Sequence, residues 1–215
     1  MVEPKVEKRQ TLRDTQKAFT RERLLQAAEE SFRLNGFAGT TVEGVTAAVG
    51  ATRATFYLHF DTKADLLREL MARTSRASRE FYAPLMEAVV VGTRLAFLGY
   101  LTESFDFIEH YPHVQLALEE AGAMVPEIRQ DLEALFERAV TAIAEGLDQA
   151  GRFEPDSRRQ RALVAFAQLE RVSWIYIQSP NLEDRSTFTE LIADSWHLIL
   201  GDHASTKWTT QVEQS

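Results

Sequence analysis

Apolar residues return every three or four positions along almost the whole chain, and Gly or Pro stands between one such run and the next. That period places them on one stripe of a helix, and no stretch reads convincingly as a strand. The expectation is an all-α fold of about nine helices. One run constrains the packing further. Leu163, Val164, Phe166, Leu169, Val172, Trp174, Ile175 and Tyr176 put apolar groups nearly all round their helix. Such a helix must be covered from more than one side, by its own subunit and a partner or wholly within a monomer.

Residues 1–19 are polar and contain Pro4, so they read as a flexible arm. Thr20 is placed to cap a first helix bearing Leu24, Leu25, Ala28 and Phe32, with Gly36 as its stop. Thr40-Thr41-Val42-Glu43 has capping-box spacing for a short second helix ending at Gly50, and Thr52 is placed to cap a third over 53–59. Thr62 and Asp65 have capping-box spacing for a fourth helix running to about Tyr82, interrupted or kinked near Pro84 and continued by apolar residues through Val91. Further starts fall at Thr93, Pro112, Pro126, Asp156 and Asp184 or Thr187, and Gly201 ends the last helix. The domains expected are an arm (1–19), a small three-helix unit (20–67), a larger helical unit (68–201) and a flexible tail (202–215).

A net charge of −8 argues at first against a nucleic-acid partner. The distribution matters more than the sum. Residues 1–63 carry 10 Lys+Arg against 8 Asp+Glu, whereas residues 64–215 carry 14 against 24. The basic end is the one with the three short helices. There is no Cys, no signal-like apolar run and no span of about 18 apolar residues, which fits a cytoplasmic protein without a membrane partner. No nucleophile constellation, Gly-rich phosphate loop or metal-ligand cluster is present, so neither an enzyme nor a cofactor is expected. His110 and His113 alone are too few ligands for a metal.

Three short helices with a tight turn between the second and third make a helix-turn-helix, whose last helix lies in the DNA major groove. Phe56 and Phe60 face inward on that reading, leaving Arg53, Thr55, Tyr57 and His59 outward. Residues 20–67, through Gly-Phe-Ala-Gly-Thr-Thr-Val (36–42) to Thr-Phe-Tyr-Leu-His-Phe-Asp-Thr-Lys (55–63), resemble the DNA-binding domain of the tetracycline-repressor family of bacterial transcriptional regulators. The likeness spans about a quarter of the chain. Departures are Glu43 where a basic residue is frequent, Thr46 and Val49 where Ala is common, and Ala54 where Gly is common.

The resemblance implies a ligand-responsive repressor that binds a palindromic double-stranded DNA operator as a homodimer and is released by a small-molecule effector. It assigns Thr41 and Thr52 to phosphates, Arg53 to base readout, Ala54 and Thr55 to the same helix surface, and Tyr57, His59 and Lys63 to the backbone. It places a pocket between the middle helices, for which the apolar candidates are Phe97, Tyr100, Leu101, Phe105, Met124, Phe136 and Trp174, with Glu103, Gln168 and Arg171 as polar groups nearby. It also pairs the last two helices across a twofold axis, with Leu163, Phe166, Val172, Leu191, Trp196 and Ile199 as candidate interface residues. A dimeric adaptor whose helix-turn-helix docks on protein is the competing reading. The outward Arg, Thr, Tyr, His and Lys favour DNA over it.

Overall fold

The computed structural model describes residues 12–77, 79–179 and 184–202, with the backbone alone for residues 74–77 and 79–81. Among these residues every regular element is a helix. The first, α1 (Leu12–Gly39), starts eight residues before Thr20. Thr20 is inside it and turns its hydroxyl back to the Gln16 carbonyl at 3.0 Å, so it does not cap. The arm therefore includes a helical part from Leu12, and residues 1–11 lie outside the described chain.

Gly36, at φ +68°, breaks the regular helix, and Phe37 folds back to stack on Phe32 with ring centroids 6.0 Å apart. Then come α2 (Val42–Ala48) and α3 (Arg53–Tyr57), the latter shorter than the seven residues expected. Next come α4 (Lys63–Ala77) and α5 (Arg79–Val91), with Pro84 inside α5; residue 78 between them lies outside the described residues. The remaining helices are α6 (Arg94–His110), α7 (Pro112–Met124), α8 (Pro126–Gln149), α9 (Pro155–Gln178) and α10 (Arg185–Leu200). In α9 it is Glu154 that occupies the cap position, with Pro155 in the first turn and Asp156 already helical.

Two apolar cores hold these helices. In the first, Leu24, Leu25, Ala28, Phe32, Phe56 and Leu67 are buried together with Val114, Ala117, Leu118 and Ala121 of α7 and Ile128 of α8. This core crosses the boundary expected at residue 67, because α7 closes it from the far side. In the second, Phe97, Tyr100, Leu101 and Phe105 of α6 meet Val140, Ile143, Leu169, Ile192 and Trp196. Trp196 is fully buried inside its own chain, so its candidacy as an interface residue is corrected to a core position.

Arg152 joins the ends of three segments. Its guanidinium donates to the carbonyls of Val89, Val90 (2.9 Å) and Leu200 (2.5 Å), oxygens that α5 and α10 leave without helical partners. No described helix is long and apolar enough to cross a membrane.

Candidate functional site

The α2–α3 unit rests on Val45, Phe56 and Phe60, all buried, and this fixes which side of α3 faces outward. Thr41 caps α2 by accepting from the Gly44 N–H at 3.0 Å. Thr52 caps α3 by accepting from the Thr55 N–H at 3.1 Å, and its hydroxyl also lies 3.0 Å from that of Thr55. Thr52, Arg53, Ala54 and Tyr57 are exposed and Thr55 is half-buried, so they form one polar surface. Arg53 is not idle there. Its Nη1 is 2.5 Å from Glu43 Oε1 on α2, and its Nη2 donates to the Tyr57 hydroxyl at 3.3 Å.

Lys63 differs from the expectation of a point charge aimed at DNA. Its ammonium donates to the carbonyls of Phe37 (2.6 Å) and Thr40 (2.9 Å), reaches that of Ala38 at 3.4 Å, and lies 4.4 Å from the Phe37 ring centre. It ties the start of α4 to the turn before α2. Burial lowers its pKa, partly offset by the nearby Glu120 carboxylate.

His59 is half-buried, and its Nδ1 is enclosed without a hydrogen-bond partner among the described residues. Burial, then the charges of Lys17 and Arg21, hold its pKa below the ordinary 6.5. On acidification the unfolded chain takes up this proton before the folded one does. The stability associated with neutral His59 is present above pH 6.5 and is lost as pH falls from there through the lowered folded-state pKa. In urea titrations, His59→Gln is expected to lose less stability than the parent across that window. Equal slopes for the two proteins would contradict the assignment. The proximity of Lys17 and Arg21 is not legible in the sequence, because residues 12–19 show no apolar stripe that would reveal a helix.

A second feature is a cavity of about 230 Å³, open to the surface on one side and lined by residues of α4–α9. Of the ten residues expected there, Phe136 and Trp174 line it. Phe97, Tyr100, Leu101 and Phe105 are instead sealed in the second core, and Met124 is 59% exposed. Glu103 is on the surface. Gln168 accepts from Ser195 Oγ at 3.0 Å, and Arg171 lies over the Trp174 ring at 4.4 Å, and neither lines the cavity. Phe166, expected at the interface, is a wall residue packed edge-on to Phe136 at 5.3 Å.

The wall residues missed from sequence include Ser104, Phe107, Ile108, Glu119 and Ser173. The signal available was the pair of serines on otherwise apolar helix faces, where a small side chain leaves room. Of the other interface candidates, Leu163 and Leu191 are exposed, and Val172 and Ile199 are half-buried. Among the described residues no group of three or more acidic or His side chains is arranged to hold a metal.

Residues 24–70 match the model of the bacterial regulatory proteins, tetR family. Over 52 residues the chain is 38% identical to the HTH-type transcriptional regulator TtgR and to the probable regulator ArpR, both of Pseudomonas putida. Each match covers 24% of this chain and 25% of the relative, so the chain spans about a quarter of the length of the curated relatives it matches.

Whole-fold likeness reaches further. NalD of Pseudomonas aeruginosa, the secondary repressor of the MexAB-OprM multidrug efflux pump, superposes with a TM-score of 0.69 at 19% identity, over 87% of this chain and 98% of NalD. A tetR-family regulator from Mesorhizobium loti gives 0.65 at 16% over 91% and 100%. SmeT in complex with triclosan gives 0.66 at 23% over 92% and 99%. The helix-turn-helix geometry and the match over its residues make residues 24–70 a domain of the tetR type of bacterial regulatory proteins, and the rest of the chain shares the all-helical fold of these solved structures.

Proposed function

We propose that the protein is a transcriptional regulator, acting as a repressor, that binds a palindromic DNA operator as a homodimer and releases it when a small molecule occupies the cavity. The observation that carries this reading is the outward face of α3. Arg53, Thr52 and Tyr57 stand exposed on a helix whose opposite side is locked by Phe56, with Lys17 and Arg21 of α1 nearby. Those groups suit phosphates and base edges.

Support for a dimer comes from α9 and α10, where Leu163, Val164 and Leu191 are 42%, 49% and 60% exposed. A second copy related by a twofold axis covers such a surface and sets two α3 helices one DNA turn, roughly 34–36 Å, apart.

Helix α7 is the element that both sites share. Leu118 belongs to the first core and also lines the cavity. Next to it Glu119 lines the cavity, and Glu120 accepts the Phe37 N–H at 2.6 Å, in the turn that Lys63 also grips. His113 lies 3.0 Å from Glu29 of α1. A ligand that binds more tightly when α7 is displaced therefore shifts the small domain away from its DNA-fitting position.

Selection from random duplex DNA with the full chain is expected to enrich a palindrome whose half-sites are one turn apart, bound by two chains. A screen of hydrophobic compounds against that complex is expected to find ones that release it. Enrichment of no palindrome would transfer weight to the protein-docking adaptor.

A further inference from the structure

The charged side chains lining the cavity, among the described residues, are both carboxylates: Glu119 from α7 and Glu170 from α9. The rest of the wall is mostly aromatic and aliphatic, with Phe107, Phe136, Phe166 and Trp174 contributing rings and Ser104, Gln115 and Ser173 as its neutral polar groups. Both glutamates also line an adjoining recess together with Phe136 and Leu132, so they stand where the cavity meets the surface. The guanidinium of Arg171 lies over the Trp174 ring and is not part of the wall. Arg129 lines the adjoining recess beside Glu133, 3.9 Å from it, and not the cavity itself.

Two features of this lining are unexplained by a closed apolar core. Ser173 is only 7% exposed, lines the cavity, and its hydroxyl has no hydrogen-bond partner among the described residues. An enclosed hydroxyl without a partner is costly, and a molecule entering the cavity can supply one. The second feature is Glu119, exposed like Glu170 at the mouth of the cavity, whose pKa is raised, first by the partial burial of its carboxyl and then by the neighbouring Glu170, with Arg171 opposing. A positive charge placed beside the two carboxylates offsets their mutual repulsion and favours the ionised form of Glu119.

Resting on the reading of this cavity as the effector site, the geometry points to a cationic aromatic effector: a ring system held among Phe136, Phe166 and Trp174, with a protonated amine directed to Glu119 and Glu170. Aromatic faces favour a cation as well, so the ring walls and the carboxylates select in the same direction. An anionic ligand of the same size meets two like charges and no cation in the wall, and is rejected.

A matched naphthalene series tests this by calorimetry on the full chain near pH 7.5: 1-naphthylmethylamine, which is protonated there, 1-naphthylmethanol and 1-naphthoate. The ammonium is expected to bind at least about tenfold more tightly than the alcohol, which is a 1.4 kcal/mol difference, and the carboxylate more weakly than either. Changing Glu119→Gln and Glu170→Gln together is expected to erase the preference for the ammonium. Retained affinity of that variant for the alcohol shows that it is folded. Equal or tighter binding of the carboxylate overturns the cationic assignment but leaves the cavity as an effector site. A preference for the ammonium that survives the double change does the same. Binding of none of the three overturns the cavity reading, and this inference with it.

Discussion

Replacing Trp196 with alanine is expected to destabilise the chain by about 3–5 kcal/mol, the range for removing a large aromatic from a packed core. The side chain is fully buried. Its ring packs edge-on to Phe97 with centroids 5.9 Å apart and stacks on Tyr100 at the same separation. Its indole N–H donates to the Ala165 carbonyl at 3.0 Å, linking α10 to α9. Alanine removes both ring contacts and leaves a void bounded by rigid helices that relax only partly. Trp196→Phe keeps most of the ring packing and loses the hydrogen bond, so a smaller loss of roughly 1–2 kcal/mol is expected. Urea unfolding measures both, through a shifted midpoint at unchanged slope. A loss below about 1 kcal/mol for the alanine variant would contradict a core role and return Trp196 to the interface suggested by its sequence context.

Trp196 illustrates which parts of the structure can be read from the sequence. Helix starts are decided within one turn of chain, so Thr52 and Thr93 are caps in the structure as expected, Asp184 rather than Thr187 caps α10, and α2 is capped by Thr41, one residue after the Thr40 that the spacing to Glu43 indicates. The reciprocal bonds of Thr62 and Asp65 form the capping box that their spacing predicts. The extension of α1 back to Leu12 was not legible. Its residues are exposed, Leu12 and Phe19 among them, and no buried stripe records it. Nor was the cavity. Periodicity tells which side of α6 faces inward, but not whether the inward side meets another helix or a void. Phe97 and Phe105 meet helices, and Phe107 and Ile108 meet the void. That difference arises from the spacing of α6–α9, set by contacts far apart in sequence. The position of Arg53 on the outer surface was legible, whereas its pairing with Glu43 needed the angle between α2 and α3.

That pairing gives a sharper test of the DNA-binding surface than loss of function alone. Arg53→Ala is expected to weaken binding to a selected operator on the order of ten- to a hundredfold and to relax the preference at one base pair of each half-site, because a guanidinium reading guanine contributes discrimination of that order. Arg53→Lys keeps the charge but not the two-pronged donor, so it should retain non-specific affinity and lose the preference. Glu43 competes with the operator for Arg53 in the free protein, and with side chains 60% and 57% exposed the pair is held only weakly. Removing the carboxylate by Glu43→Gln frees the guanidinium and takes a negative charge away from approaching phosphates. Operator affinity is therefore expected to rise severalfold, more at low salt than at high, with the base preference unchanged. Fluorescence anisotropy on the selected operator and a scrambled duplex, at two salt concentrations, reads all three variants. Wild-type behaviour of Arg53→Ala, or an operator affinity that falls in Glu43→Gln, would mean that α3 does not present this face to DNA.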